Sequence, residues 1–192
     1  MAAYRLDKQG LWTILEGWDT YIPRKVHLVA CGGTALTIQD LKESTKDVDF
    51  LVPEDEAWVA VIQPIKRLGY RQATGSGWAR DDGYIFDLFA GKTIFTTELL
   101  ESPLEEGNHI PIKAFQKLSV SALNDHDLII SKMFRGTAVD IEDCLTLIRA
   151  RGKTFDLKRL EQRYKETAEY DITPEKMMRN LDTLLQRLGQ TG

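Results

Sequence analysis

The chain has 192 residues, which suits one sizeable domain, or a domain with a helical appendage, and argues against two independent large domains. Its 43% hydrophobic and 28% charged residues are typical of a globular protein and exclude a disordered chain. The formal net charge of −4 argues against a protein that coats nucleic acid through bulk positive charge.

Cysteine usage and the N-terminus predict an intracellular setting. Cys31 and Cys144 are far apart and have neither metal-ligand spacing nor a framework of bridges. The N-terminus lacks the apolar core of a signal peptide, and no stretch approaches the roughly 18 apolar residues of a membrane span. We therefore expect a cytoplasmic protein without a membrane partner.

The first third of the chain predicts alternating helices and strands. Asp7 can cap a helix that ends at Pro23, and the apolar run over 26–31 predicts a buried strand. The glycine pair at 32–33 breaks this strand, and a short helix is expected over 34–43. This order is a strand, a glycine turn and a helix.

The middle of the chain predicts two further strands. The segment 48–52 forms one strand, followed by an amphipathic helix over 58–68. A turn at 81–83 leads into the apolar run 84–90, which predicts a central strand with apolar residues on both faces. The segment 96–119 is irregular and favours loops and short edge strands.

The last third of the chain is helical in its pattern. Helices are expected over 124–135 and 139–149, from a cap at Asp156, and from Thr173 to about Gly189. We predict an α+β fold, in which a mixed β-sheet flanked by helices is followed by a C-terminal helical part. The boundary is expected near residue 120, with 1–120 as the core and 121–192 packed on it.

Two carboxylates share one predicted strand. Side chains at i and i+2 of a strand point to the same face, so Asp47 and Asp49 lie side by side, about 7 Å apart along the backbone. Such a pair readily converges on one or two magnesium ions. On spacing alone, a solvated strand edge is the commoner explanation.

A third carboxylate, Asp87, lies inside the apolar run 84–90. Burial of an unpaired carboxylate costs on the order of several kcal/mol, so a partner is required. A metal ion shared with Asp47 and Asp49 would compensate the charge. A buried ion pair, or a place at the mouth of the strand that water reaches, would do so too.

The glycine turn is a candidate phosphate site. Gly32 and Gly33 let the backbone approach a ligand closely, and the following helix start offers N–H groups to phosphate oxygens. Thr34 could add a hydroxyl. A plain tight turn explains a glycine pair equally well.

Taken together, the segments 27–36, 45–52 and 85–89 resemble the nucleotidyltransferase superfamily. Its pattern is a strand, Gly-Gly or Gly-Ser, a short helix, an acid-apolar-acid strand and later a third acid. The resemblance implies transfer of a nucleoside monophosphate from a nucleoside triphosphate, such as ATP, to an acceptor. It also implies two Mg²⁺ ions as cofactors, or Mn²⁺ in their place.

The resemblance also implies residue roles. Asp47 and Asp49 would bind metal, and Asp87 would complete the metal site and help to activate the acceptor hydroxyl. Gly32 and Gly33 would hold phosphate. Gly33 stands where many members carry serine, so one hydroxyl of the usual pattern is missing.

Within the superfamily, the sequence looks most like the branch that includes abortive-infection toxin nucleotidyltransferases. The helix 127–132 followed by Arg135, Asp140 and Asp143 supports this resemblance. It implies an RNA, protein or small-molecule acceptor and an antitoxin partner. Lys132 is the candidate for triphosphate contact, with a solvated lysine as the alternative.

Several alternatives stay open at this point. Asp140 and Asp143 could pair with Lys132 or Arg135 in a structural role. The basic segment 149–165 could meet an RNA backbone, although a solvated helix face is the simpler explanation. The chain could also be an inactive module of this fold that binds nucleotide or a partner protein.

Overall fold

A computed structural model describes residues 5–81 and 83–190. The strands are β1 (Leu6–Asp7), β2 (Val26–Ala30), β3 (Ser44–Thr45), β4 (Asp47–Val52), β5 (Arg71–Gln72), β6 (Gly77–Ala79), β7 (Ile85–Ala90), β8 (Thr93–Ile94), β9 (Thr97–Glu98), β10 (His109–Ala114) and β11 (Leu118–Leu123). The helices are α1 (Lys8–Tyr21), α2 (Gly32–Ile38), α3 (Asp55–Arg67), α4 (Asp125–Arg135), α5 (Ala138–Arg151), α6 (Leu157–Ala168) and α7 (Pro174–Gly189), and a 3-10 turn covers Gly152–Thr154.

Seven of these strands form one mixed sheet in the order β10-β11-β2-β4-β7-β6-β5. In its centre, β4 runs parallel to β7 and antiparallel to β2. Helix α3 packs on β2 and β4, while α2 packs on β4 and links the sheet to α4 and α5. The predicted α+β class, with a mixed sheet flanked by helices, is confirmed. None of the helices within the described ranges is long and apolar enough to cross a membrane.

Most predicted elements occur where the sequence places them. Asp7, Asn124 and Asp156 each accept a backbone hydrogen bond as the N-cap of the helix that follows. The helix predicted over 34–43 differs in its bounds: it begins two residues earlier, at Gly32, and ends five residues earlier, at Ile38. Asp82, from the predicted turn at 81–83, lies outside the described residues.

Sequence patterns do not reveal the internal strand β11. It lies between β10 and β2 and pairs with β2 in parallel. Its serines make it look polar in the sequence, although Ser121 is buried. The Ser121 hydroxyl has a hydrogen-bond partner there, because it lies 2.7 Å from Nε2 of His27 on β2. A polar residue in a core position therefore looks like part of a loop in the sequence.

A buried carboxylate joins the first helix to this strand. Asp19 on α1 is 8% exposed and accepts hydrogen bonds from three consecutive backbone N–H groups. The donors are Gln116 at 3.2 Å, Lys117 at 2.8 Å and Leu118 at 2.6 Å. Hydrogen bonds to an ionised acceptor are stronger than neutral ones, so this contact fixes the start of β11 against α1.

We expect Asp19→Ala to lower the free energy of unfolding by about 2–4 kcal/mol, because it leaves buried N–H groups without an acceptor. Urea denaturation at pH 7 measures the difference. Asp182→Ala is the control, since Asp182 is exposed on α7 and its loss should change stability by less than about 0.5 kcal/mol. Equal stability of the two variants would show that this contact does not hold the fold.

Candidate active site

A cleft of about 640 Å³ lies between the centre of the sheet and the start of the helical region. Its lining includes five acidic and five basic side chains. The acidic residues are Asp47, Asp49, Asp87, Asp140 and Asp143, and the basic residues are Arg5, Lys42, Lys46, Lys132 and Arg135. All three carboxylates that the sequence singled out therefore face one cavity.

Strand register explains why these carboxylates meet. Asp49 on β4 and Asp87 on β7 are direct partners in a parallel pair, and neighbouring strands lie about 4.8 Å apart. Asp47 is two residues before Asp49 and shares its face of the sheet. Within residues 5–81 and 83–190, no three carboxylate, histidine or cysteine side chains form a complete set of metal ligands.

The burial of Asp87 differs from the expectation, and the alternative of a place that water reaches fits it better. Asp49 is 6% exposed, whereas Asp87 is partly exposed. The expectation that Asp87 is the buried carboxylate is therefore wrong. Gly77 on β6 is the register partner of Asp87 on its other side, so no side chain there covers the carboxylate. The Ser76 hydroxyl donates a hydrogen bond of 2.6 Å to Asp87 Oδ1.

The described residues place no bonded cation at the buried carboxylate of Asp49. None of the ion pairs in the described part of the chain involves this residue. Burial, followed by repulsion from Asp87, raises the pKa of Asp49 to about 7, although Arg135 and Lys132 partly oppose the rise. The ionised form of Asp49 is therefore unfavourable by itself, and a bound cation would stabilise it.

The glycine pair is required by the packing of the site. Gly32 has φ +57°, and a Cβ there would stand 2.2 Å from Asp49 Oδ2. A Cβ on Gly33 would stand 2.6 Å from Thr45 Oγ1. The Thr45 hydroxyl, which donates to the Asp47 carbonyl at 2.8 Å, thus lies where a serine side chain at position 33 would begin.

The Thr34 side chain forms hydrogen bonds with the backbone of β4. Its side-chain oxygen accepts the Asp49 N–H at 2.9 Å, and its hydroxyl lies 3.3 Å from the Asp47 carbonyl oxygen. The residue is fully buried, and it does not line the cleft. Of the four predicted phosphate contacts, Gly33 and Lys132 line the cleft, whereas Gly32 and Thr34 lie behind it.

Lys132 belongs to a buried network of charges. It is 2% exposed, and its Nζ lies 2.7 Å from Asp143 Oδ2 and 3.8 Å from Asp140 Oδ1. Lys42, from the segment between α2 and β3, lies 2.8 Å from Asp143 Oδ1. The solvated lysine considered as an alternative is therefore contradicted, and Asp143 joins the sheet side of the cleft to the helical side.

A second pair of charges organises the junction between α4 and α5. Arg135 donates to Asp140 Oδ1 at 2.6 Å, and Thr137 with Asp140 forms a capping box at the start of α5. The pairing of Asp140 and Asp143 with nearby cations agrees with the structural role that the sequence left open. Arg5, Lys42 and Lys46 are cleft cations that sequence reasoning missed, because Arg5 and Lys42 lie outside the motifs and Lys46, inside the segment 45–52, has no assigned role there.

Asp49→Asn should stabilise the metal-free protein at pH 7.5 by about 2–4 kcal/mol. In the folded state Asp49 keeps its proton up to about pH 7, while in the unfolded chain it ionises near pH 3.9. The contribution of Asp49 to the free energy of unfolding therefore falls as pH rises between these two values. Urea denaturation with a chelator, from pH 4 to pH 8, should show a stability difference between Asp49→Asn and the wild type that vanishes towards pH 4.

The exposed Asp47 supplies the control, since Asp47→Asn removes a carboxylate that water already solvates. Its effect on stability should be small at pH 7.5. A stability difference for Asp49→Asn that stayed constant over the whole pH range would contradict the raised pKa.

Asp143→Asn should lower stability by about 3 kcal/mol, because it leaves the buried Lys132 ammonium with only a distant partner. Glu142→Gln is a matched control at the next residue, where an exposed ion pair with Arg187 contributes at most about 1 kcal/mol. Burial alone would raise the pKa of Asp143, but Lys132 and Lys42 outweigh it and lower the pKa. The difference measured at pH 7 should therefore shrink only below about pH 4.

Comparisons with known proteins agree on the fold. A family model described as "Nucleotidyltransferase of unknown function (DUF6036)" matches residues 105–188, which is less than half of the chain. No curated protein matches the sequence.

Three solved structures are similar in fold. The crystal structure of ANT(2'')-Ia in complex with adenylyl-2''-tobramycin has 15% identity and a TM-score of 0.57, over 84% of this chain and 97% of that one. The solution structure of the antibiotic-resistance factor ANT(2'')-Ia has 14% identity and a TM-score of 0.57, over 97% and 100%. An antigenic nucleotidyltransferase-like protein from Paracoccidioides brasiliensis has 11% identity and a TM-score of 0.51, over 91% and 95%.

At these identities the structural similarity establishes the fold, while the family model adds support from sequence for its C-terminal half. The chain is therefore built on the nucleotidyltransferase fold, and the comparisons support an enzyme of that class.

Proposed function

We propose that the protein is a metal-dependent nucleotidyltransferase that transfers a nucleoside monophosphate from a nucleoside triphosphate, such as ATP, to an acceptor hydroxyl. The observation that carries the proposal is the register pair of Asp49 and Asp87, two neighbouring carboxylates in the cleft of this fold with which no described lysine or arginine forms an ion pair. In an ordinary structural site, a lysine or arginine would be expected to pair with such a buried acid.

The chemistry of the carboxylates fits magnesium. Mg²⁺ is usually held by one or two carboxylates together with substrate phosphates and water, so a complete protein cage is not required. Asp47 and Asp49 on β4, with Asp87 beside them, would supply these oxygens, and Mn²⁺ accepts the same donors. When bound, the metal ions neutralise the charge of the phosphates during transfer.

The residues of the cleft divide the remaining tasks. The acceptor oxygen attacks the α-phosphorus, the bond to the bridging oxygen breaks, and pyrophosphate leaves. Asp87, which is partly open to the cleft and accepts a hydrogen bond from the Ser76 hydroxyl, would take the proton of the acceptor hydroxyl. Arg5, Lys42 and Lys46 offer positive charge to the triphosphate.

Lys132 and the glycine turn would support the site without direct contact between their side chains and the phosphates. The buried Lys132 ammonium is held by Asp143, so it adds positive potential to the cleft and leaves direct phosphate contact to the more exposed cations. Gly33 lets the ligand approach the backbone beside the Thr45 hydroxyl. Gly32 gives the Asp49 carboxylate the space that it occupies.

The acceptor class decides the biological role. The structure of ANT(2'')-Ia with adenylyl-2''-tobramycin motivates a small polyhydroxylated acceptor as one class to test, beside RNA and protein. In the basic segment, Arg151 and Arg163 are already paired with Asp125 and Asp127, which reduces the charge available to an RNA backbone. A toxin with an antitoxin partner would require transfer to an essential RNA or protein.

Incubation with Mg²⁺, labelled nucleoside triphosphates and acceptors of each class should give labelled product with the wild-type protein. Asp49→Asn and Asp87→Asn should lower the rate by at least about 100-fold, because each removes a carboxylate from the reacting centre. Asp182→Asn, an exposed acid on α7, is the matched control and should retain full activity.

The same variants separate the alternatives. Binding of Mg²⁺ and triphosphate without any product would favour the inactive module, and full activity of Asp49→Asn would refute the proposed site. Growth arrest on expression of the wild type, lost with Asp49→Asn, would support the toxin role.

A further inference from the structure

Phe95 is an unusual residue of the cleft. It lies at the tip of the hairpin formed by β8 and β9, which follows the strand of Asp87. Among the described residues that line the cleft, only Phe95 and Val139 are apolar, and the others are charged residues, threonines and a glycine. Phe95 is 40% exposed and Val139 is 62% exposed, so both apolar surfaces are open to a ligand.

The backbone and neighbours of Phe95 hold its ring in place. Its φ of +52° lies in the left-handed region, which bulky residues rarely adopt. The Arg135 guanidinium stands over the ring at 4.8 Å from its centroid, and the Phe89 ring meets it at 4.7 Å with an interplanar angle of 64°. The ring is therefore fixed on two sides, while a large part of it stays exposed at the cleft.

The cation over the ring is itself immobilised. Arg135 donates to Asp140, and the capping box of Thr137 and Asp140 holds that carboxylate at the start of α5. Phe95 therefore meets a ligand as part of a rigid surface, so little side-chain entropy is lost when a flat group packs on it. Aromatic surfaces of this kind stack on planar rings.

Lys42, Lys132 and Arg135 are already paired with Asp143 or Asp140, so the other cations of the cleft indicate which end of a nucleotide meets this surface. Arg5, which bonds to Ser44 on β3, and Lys46 lie beside the start of β4. The carboxylates of β4 and β7 come next, and the hairpin of Phe95 packs beside β7. A triphosphate drawn to the cations, with its α-phosphate over the carboxylates, directs its nucleoside towards Phe95.

We propose that Phe95, backed by Arg135 and with Val139 beside the same cleft, is the stacking platform for the planar base of the bound nucleoside triphosphate. This inference rests on the proposed function and adds a base-binding residue to it. Stacking requires only a flat ring, so the platform would accept purines and pyrimidines and favour the larger purines.

Calorimetry with Mg²⁺ tests the platform through two probes, a non-hydrolysable ATP analogue and inorganic tripolyphosphate, which lacks a base. Phe95→Leu keeps an apolar side chain without an aromatic plane, and it should weaken binding of the ATP analogue by about 5- to 100-fold. Binding of tripolyphosphate should stay unchanged. Phe95→Trp restores a planar ring and should bind the analogue at least as tightly as the wild type.

Tyr170→Leu is the matched control, because Tyr170 is an 80% exposed aromatic residue that does not line the cleft. It should leave the affinity for both probes unchanged. Melting temperatures of all variants, compared with the wild type, show whether each one is folded.

Each other outcome overturns a defined statement. Equal weakening of both probes by Phe95→Leu, or no weakening of either, overturns the platform alone. Normal binding of the ATP analogue with a raised KM for an acceptor would mean that the ring contacts the acceptor, which also overturns the assignment. A wild-type protein that binds neither probe would overturn the proposed function and the platform with it.

Discussion

Burial of the Asp49 carboxylate beside Asp87 is the constraint around which the cleft is arranged. The two carboxylates are brought together by the parallel register of β4 and β7. Burial of Asp49, and then repulsion from Asp87, raises the pKa of Asp49 to about 7. Such an arrangement opposes folding when no cation is bound, so its presence indicates a use. Gly32 makes it sterically possible, because any Cβ at that position would overlap the carboxylate.

On the helical side of the cleft, formed by α4 and α5, the carboxylates are paired with cations of the protein. Asp143 binds both Lys42 and Lys132, and Asp140 binds Arg135, so the buried charges of Lys132, Asp140 and Asp143 are compensated within the protein. The sheet side thus keeps negative charge available for a ligand, whereas the helical side uses ion pairs to hold two parts of the chain together. A metal ion bound with phosphates would neutralise the carboxylates on the sheet side without disturbing the ion pairs on the helical side.

One departure from the usual sequence pattern has a structural counterpart. Gly33 stands where the resemblance to nucleotidyltransferases would often place a serine, and the Thr45 hydroxyl lies beside the place where such a side chain would begin. Thr45 cannot coexist with a side chain at position 33 without movement, so the two positions constrain each other.

The sequence by itself determined the helices with their caps, the strands of the three carboxylates and the resemblance to nucleotidyltransferases, because these depend on local spacing and short motifs. Only the tertiary structure decided that β11 is an internal strand, that Asp49 and not Asp87 is buried, and that Lys132 is paired with Asp143. It also placed Phe95 and Lys46 in the cleft. Burial and pairing depend on which strands and helices become neighbours, and register partners such as Asp49 and Asp87 are distant enough in sequence that no local pattern encodes their contact.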